Sequence, residues 1–222
     1  MGKKYEFGSN TLTYNGKTLH EIISCSEFAV AGTTVKKGQI GGFIEKESNL
    51  SQHGNCWVFR NCIVMDNAFV KDDAIVRYGS LINEHALIFG NAIISESKVS
   101  GHGKVGDHAS VTNAGVWDDA EVINSASLTG EGIFHPMNRD YPEIGDTYVA
   151  GFARLCDYAQ VYNGPAIYEY AILRGHAKAF GPVKIHGEAL IEGGAKIFGN
   201  AEAKGHAHVS FYEDIYGNVV IE

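Results

Sequence analysis

Residues 68–97 read AFVKDDAIVRYGSLINEHALIFGNAIISES, five consecutive hexads that each begin with a small residue. In the first two hexads an aliphatic residue, Val70 or Val76, follows two positions after the small one. A six-residue period would scatter the small residues over three faces of an α-helix. In a β-strand, residues two apart share a face, so the small and the aliphatic residue point the same way. The stretch therefore predicts short strands joined by corners.

The same period runs through most of the chain and reappears in ALIEGGAKIFGNAEAKGHAHV at 189–209. Glycine and asparagine, which tolerate the left-handed backbone of a sharp corner, end several hexads, as at Gly90-Asn91 and Gly199-Asn200. Three six-residue sides close a triangular coil of about eighteen residues. Coils of this kind stack at the inter-strand spacing of about 4.8 Å. We therefore expect an all-β solenoid with the aliphatic residues at its centre.

These hexads resemble the hexapeptide repeat of left-handed β-helix proteins. The preceding segment, VKKGQIGGFIEKESNLSQHGNCWV at 35–58, is more specific. It is similar to the lead-in of a subgroup carried by phages and prophages, in which a Gly-Gly-aromatic-Ile-Glu segment and an Asn-Leu-Ser segment precede the first coil. One enterobacterial member of that subgroup is described as a transferase. The resemblance, rather than the period, implies a single-stranded left-handed parallel β-helix.

The chain outside the repeat divides into caps and one interruption. Asn15-Gly16 lies between two alternating runs and is a type I′ hairpin signal, so residues 1–48 are predicted to form an N-terminal β-hairpin cap. Such a cap covers the open strand edges of a solenoid. We expect a first β-helix array at 49–133, an inserted loop at 134–150, a second array at 151–211 and a C-terminal cap at 212–222. The register is also expected to slip by one residue after Ala92 and after Ala109.

Composition and charge disfavour several classes of protein. The chain has 222 residues and a net charge of −8, whereas a general nucleic-acid-binding protein needs a basic surface. No apolar run is long enough to cross a membrane, and the N-terminus does not read as a signal peptide. The four cysteines have neither a disulfide framework nor zinc-ligand spacing. We expect a cytoplasmic protein of a bacterial or phage-infected cell that binds no metal, membrane or nucleic acid directly.

The outward position between the small and the aliphatic residue should be polar on a solvated coil. In the second array it includes Arg154, Lys178 and Glu202, but in the first array it is apolar. Large exposed apolar surfaces mark interfaces, so this band predicts a homo-oligomer interface unless the chain covers it with its own segments. The residues of the band are Trp57, Ile63, Phe69, Ile75, Leu81, Leu87 and Ile93.

Two further groups of residues are candidates for binding a protein partner. Tyr162, Phe180 and Phe198 are eighteen residues apart and should stack on one face, beside Lys178 and Lys196. Such a ladder can bind a sugar, a nucleotide or an anionic partner, or it can simply stabilise the sheet. The second group lies on the predicted loop, because arginine and tyrosine are enriched at interface hot spots. This group comprises Arg139, Asp140 and Tyr141.

Two functions remain open. Many hexapeptide-repeat acyltransferases use a histidine base near acyl-CoA bound between subunits, and His135 on the loop is the candidate that this resemblance implies. The chain lacks the dense glycine-rich terminal coils typical of acyl-CoA-binding members. We therefore favour a non-catalytic phage- or prophage-type protein without a cofactor that binds a host protein. Inhibition of a bacterial defence system is one form of that function.

Overall fold

The computed structural model describes residues 2–130 and 146–222. This part of the chain is nearly all β-structure, with one short 3-10 helix, η1 (Glu47–Asn49). The strands are β1 (Tyr5–Tyr14), β2 (Lys17–Ser24), β3 (Phe28–Val30), β4 (Thr33–Val35), β5 (Ile40–Ile44), β6 (Trp57–Val58), β7 (Ile63–Val64), β8 (Phe69–Val70), β9 (Ile75–Arg77), β10 (Leu81–Ile82), β11 (Leu87–Ile88), β12 (Ile93–Ser95), β13 (Lys98–Val99), β14 (Lys104–Val105), β15 (Ser110–Thr112), β16 (Gly115–Val116), β17 (Glu121–Val122), β18 (Ser127–Thr129), β19 (Tyr148–Val149), β20 (Arg154–Leu155), β21 (Gln160–Tyr162), β22 (Ala166–Ile167), β23 (Ile172–Leu173), β24 (Lys178–Phe180), β25 (Lys184–Ile185), β26 (Leu190–Ile191), β27 (Lys196–Gly199), β28 (Glu202–Ala203), β29 (His208–Val209), β30 (Asp214–Gly217) and β31 (Val220–Ile221).

Three sheets, whose coil strands run parallel, form the sides of a left-handed β-solenoid of about nine stacked coils. Within the array a coil strand pairs with the strands three before and three after it, as β12 pairs with β9 and β15. We name the sheet that contains β7 and β10 sheet 1, the sheet that contains β8 and β11 sheet 2, and the sheet that contains β6 and β9 sheet 3. The chain visits the sheets in the order 1, 2, 3. The predicted fold class is confirmed.

The interior follows the predicted alternation. The small hexad residues from Ala68 to Ala207 are buried, and so are the aliphatic residues that follow them, from Val70 to Val209. Cys62 occupies one of the small positions, and burial raises the pKa of its thiol to about 12. The thiol therefore stays protonated and unreactive at neutral pH. All four cysteines are free thiols, as the sequence predicts.

Acidic residues and glycines occupy the corner from sheet 1 to sheet 2. Asp66 and Glu84 adopt positive φ there, and each carboxylate accepts a hydrogen bond from the backbone amide of the next coil. The Glu84 amide lies 2.9 Å from Asp66 Oδ2, and the Gly101 amide lies 2.6 Å from Glu84 Oε2. A Cβ on Gly101 would lie 2.7 Å from the backbone of Asp118, so glycine is needed between the acidic residues. Part of the negative charge of the chain therefore serves to stack its coils.

The corner from sheet 3 to sheet 1 carries the irregularities of the repeat. Three residues separate Arg77 from Leu81 at this corner, but only two separate Ser95 from Lys98. The shorter corner confirms the predicted one-residue slip and gives coils of 17 residues, as in the pairing of Leu81 with Lys98.

The same corner holds the interruption of the array. Ser127 pairs with Gln160, a step of 33 residues instead of 17 or 18. Residues 131–145, and with them the predicted site residues His135, Arg139, Asp140 and Tyr141, lie outside the described residues. The last part of the predicted loop at 134–150 belongs to the coil, because Tyr148–Val149 forms β19 of sheet 1.

The N-terminal hairpin joins sheet 1. Strands β1 and β2 pair antiparallel around the predicted Asn15-Gly16 turn, β2 pairs antiparallel with β5, and β5 pairs parallel with β7. Residues 212–222, expected to form a C-terminal cap, contribute β30 and β31, which extend sheets 3 and 1 in parallel register.

The apolar band of the first array is largely covered by the chain itself. Trp57 is fully buried and meets Phe28 of the N-terminal module edge-on, with ring centroids 5.7 Å apart. Leu81 is 3% exposed and belongs to an outer cluster that includes Leu19 of the hairpin. The expectation of an exposed band is therefore wrong for Trp57, Ile63, Ile75 and Leu81. The oligomer interface stays a prediction, and of its residues Phe69, Leu87 and Ile93 are partly exposed.

Candidate binding site on sheet 1

A groove of about 590 Å³ crosses the outer face of sheet 1. It spans five coils and begins where the apolar outer cluster around Leu81 ends. Its position follows from the strand register, because the outward side chains of sheet 1 stack in two columns. The first column contains Leu81, Lys98, Gly115, Tyr148 and Ala166, and the second contains Asn83, Ser100, Trp117, Ala150 and Tyr168.

Gly115 shapes the groove because it leaves an outward position without a side chain. A Cβ at this position would lie 1.7 Å from Cη2 of Trp117, so the indole of the second column occupies the space in the first. The indole meets Tyr148 of the next coil edge-on, with ring centroids 5.6 Å apart and an interplanar angle of 70°. An edge-to-face pair leaves ring surface that the pair itself does not cover, so aromatic surface lines the middle of the groove.

Polar groups surround these rings. Lys98 and Ser100 line the groove although each is only 5% exposed. Asn83 Oδ1 is buried and has no hydrogen-bond partner among the residues that the structure describes. An unsatisfied buried polar atom costs about 1–3 kcal/mol, so a ligand that donates a hydrogen bond to Asn83 would recover part of that free energy.

The two groove tyrosines keep their hydroxyl protons at neutral pH. Burial, and then the Asp146 carboxylate, raise the pKa of Tyr148. Burial is also the main reason that the pKa of Tyr168 is raised, followed by Tyr148 and nearby carboxylates. Both hydroxyls can therefore donate as well as accept hydrogen bonds. The groove offers donors, acceptors and aromatic surface, and these suit recognition of a polar partner surface with an apolar centre.

The predicted aromatic ladder is present on sheet 3, and Tyr216 extends it. Tyr162, Phe180 and Phe198 stack with centroids 5.1 and 4.7 Å apart and interplanar angles of 3° and 4°. Lys178 pairs in register with Lys196 beside them. The inner rings have both faces covered by their neighbours, whereas a sugar or a cation needs an open face. The geometry is that of a sheet-stabilising stack, and a role in partner binding stays a prediction.

Histidines pair with carboxylates of neighbouring coils, which the sequence did not reveal. His186 Nε2 lies 2.8 Å from Glu202 Oε1, and its Nδ1 lies 3.6 Å from Glu169 Oε2. The hydrogen bond from His186 lowers the pKa of Glu202. Both ring nitrogens of His186 therefore face carboxylates of neighbouring coils. The catalytic candidate of the alternative function, His135, lies outside the described residues.

The sequence alone does not predict the groove residues. Trp117 and Tyr148 stand at outward positions, where the repeat alone does not distinguish a site from ordinary surface. A usable signal was Gly115, an outward glycine two residues before a tryptophan. A second signal was the position of Tyr148 on the first strand after the interruption.

No helix over residues 2–130 and 146–222 is long and apolar enough to cross a membrane. The same part of the chain brings together no group of three histidine, cysteine or acidic side chains that would hold a metal ion. No protein-family model matches the sequence, and no curated protein matches it. The structure therefore establishes the fold alone: a β-solenoid of stacked parallel coils, consistent with a hexapeptide-repeat β-helix.

Proposed function

We propose that the protein is a non-catalytic binding protein that holds a protein partner on sheet 1. The observation that supports this most directly is the groove itself. It combines Trp117, Tyr148 and Tyr168 with polar side chains on a rigid scaffold, and Tyr148 belongs to the first strand after residues 131–145 interrupt the array. Tryptophan and tyrosine are enriched at interface hot spots, and loops that leave a rigid scaffold often carry function. Arg139, Asp140 and Tyr141 are the proposed contacts from the interrupting segment.

Two observations support a host protein as the partner. The lead-in at 35–58 resembles that of phage- and prophage-borne proteins, which favours a host protein in the cytoplasm as the partner. The net charge of −8 favours a protein over a nucleic acid. Inhibition of a bacterial defence protein is the specific form of this proposal. A homo-oligomer would leave the groove free if it used Phe69 and Leu87, because both belong to sheet 2.

Photo-crosslinking in bacterial cells tests the proposal. We expect p-benzoylphenylalanine at Tyr148 or Tyr168 to crosslink one and the same host protein. The matched control is Tyr158, which is 58% exposed at the corner from sheet 2 to sheet 3 and should give no such product. Solvent exposure alone would favour crosslinking from Tyr158, because Tyr148 and Tyr168 are only partly exposed.

Equal labelling from Tyr158 would contradict binding on sheet 1. An acyl transfer from acyl-CoA that is lost on His135→Ala would instead establish the acyltransferase function. In that case the loss should be about 10²–10⁴-fold, the usual contribution of a general base.

A further inference from the structure

A second pocket lies at the corner from sheet 3 to sheet 1, in the first coils. It encloses about 220 Å³ and is lined by Phe59, Arg60, Arg77 and Tyr78 of the coil and by Thr33 of the N-terminal module. The groove on sheet 1 shares no lining residue with it. The pocket is smaller than the roughly 300–1,000 Å³ sites that enclose whole small ligands, so it suits one chemical group of a ligand.

The two arginines of this pocket have no ion-pair partner in the described part of the chain. The other described arginines are paired: Arg154 lies 2.9 Å from Glu121, and Arg174 lies 2.7 Å from Glu192. At the pocket corner the next coil places an exposed carboxylate, Glu96, but it forms no ion pair with either arginine over residues 2–130 and 146–222. In a protein with a net charge of −8, two arginines without ion-pair partners that line the same pocket form a local positive site.

Arg77 is held in place by neutral contacts. Its Nε donates a hydrogen bond to Ser95 Oγ at 2.9 Å, and its guanidinium lies 5.0 Å from the centre of the Tyr78 ring. Ser95 is buried, so the anchor is rigid. The terminal amino groups of Arg77 have no hydrogen-bond partner among the residues that the structure describes. A guanidinium fixed in this way is pre-organised for the oxygens of a planar or tetrahedral anion.

We propose that this pocket binds the phosphoryl group of a small organic phosphate. Arg60 and Arg77 would hold the phosphate oxygens, and Phe59 and Tyr78 would pack against the carbon atoms attached to the ester oxygen. Two guanidinium groups match the charge of a phosphate monoester, about −1.5 to −2 at neutral pH, better than the single charge of a carboxylate. This site is independent of the function proposed for the groove on sheet 1.

Calorimetric titration of the full chain at low salt tests the site with phenyl phosphate, inorganic phosphate and benzoate. We expect saturable binding of phenyl phosphate, with weaker binding of the other two anions. Arg60→Gln and Arg77→Gln should each weaken phenyl phosphate binding by about tenfold or more, because each removes a charge-assisted hydrogen bond. The control Arg174→Gln, which removes the same charge from a paired arginine, should leave the affinity within about twofold.

Three results would overturn the proposal. The first is the absence of saturable phenyl phosphate binding up to about 10 mM. The second is an equal loss of affinity in Arg174→Gln, which would indicate general charge attraction. The third is benzoate binding as tightly as phenyl phosphate. Arg77→Gln also removes the hydrogen bond to Ser95 and can disturb folding. The side chain of Arg60 is exposed, so Arg60→Gln tests the proposal without that effect on folding.

Discussion

Leu81→Gln lowers the free energy of unfolding by about 2–4 kcal/mol, whereas Leu87→Gln lowers it by less than about 1 kcal/mol. Both leucines stand at the same outward position of consecutive strands, β10 and β11. Leu81 is 3% exposed in the cluster with Leu19, so the substitution removes apolar packing and buries an amide without a partner. Leu87 is partly exposed on sheet 2, where the amide stays hydrated.

Urea denaturation followed by circular dichroism measures this difference. In a Trp117→Phe background, the fluorescence of Trp57 reports whether the N-terminal module detaches first, because Trp57 packs against Phe28. Equal destabilisation by the two substitutions would mean that the outer cluster on sheet 1 does not hold the hairpin to the coil.

Deletion of residues 131–145 abolishes partner binding, with at least a 100-fold loss as an order-of-magnitude expectation, and leaves the solenoid folded. The deletion places Gly130, Asp146 and Thr147 between Thr129 and Tyr148. Three residues also separate Arg77 from Leu81 at the same corner of an earlier coil, so the shortened chain has the regular spacing. The step between neighbouring coils then becomes 18 residues, as in the pairing of Gln160 with Lys178.

The control for the deletion is a replacement of the same length by glycine and serine, which keeps the spacing of the wild-type chain but removes its side chains. Affinity for the crosslinked partner and the thermal unfolding midpoint are measured for both variants. Wild-type affinity in either one would place the whole function on the coil faces.

The coil itself could be predicted from the sequence because its interior depends on residues close in sequence. The alternation of Ala74 with Val76 decides which side chains point inward, and a spacing of eighteen decides that Tyr162 lies beside Phe180. What covers a strand could not be predicted in this way. Trp57 is buried by Phe28, a residue of the module before the array, and no periodicity relates the two.

The shape of the groove could not be predicted from the repeat either. The position of the Trp117 indole depends on the missing side chain at Gly115 and on the contact with Tyr148. Tyr148 comes 31 positions after Trp117 in the sequence. Spacing predicted the ladder on sheet 3, but it did not predict that the rings would lie parallel and cover one another's faces. Because the rings of the ladder cover one another, we prefer the groove on sheet 1 to the ladder as the binding site for a partner.

The affinity of the crosslinked partner for two double tyrosine variants tests most directly whether sheet 1 is the binding face. Tyr148→Ala with Tyr168→Ala removes two hydroxyls and two rings from the groove. Tyr158→Ala with Tyr212→Ala removes the same groups from the corner between sheets 2 and 3, where both side chains are more than half exposed. We predict that the groove variant loses about 100-fold or more in affinity, and that the corner variant stays within about threefold of wild type. Equal losses, or a larger loss in the corner variant, would contradict a binding face on sheet 1.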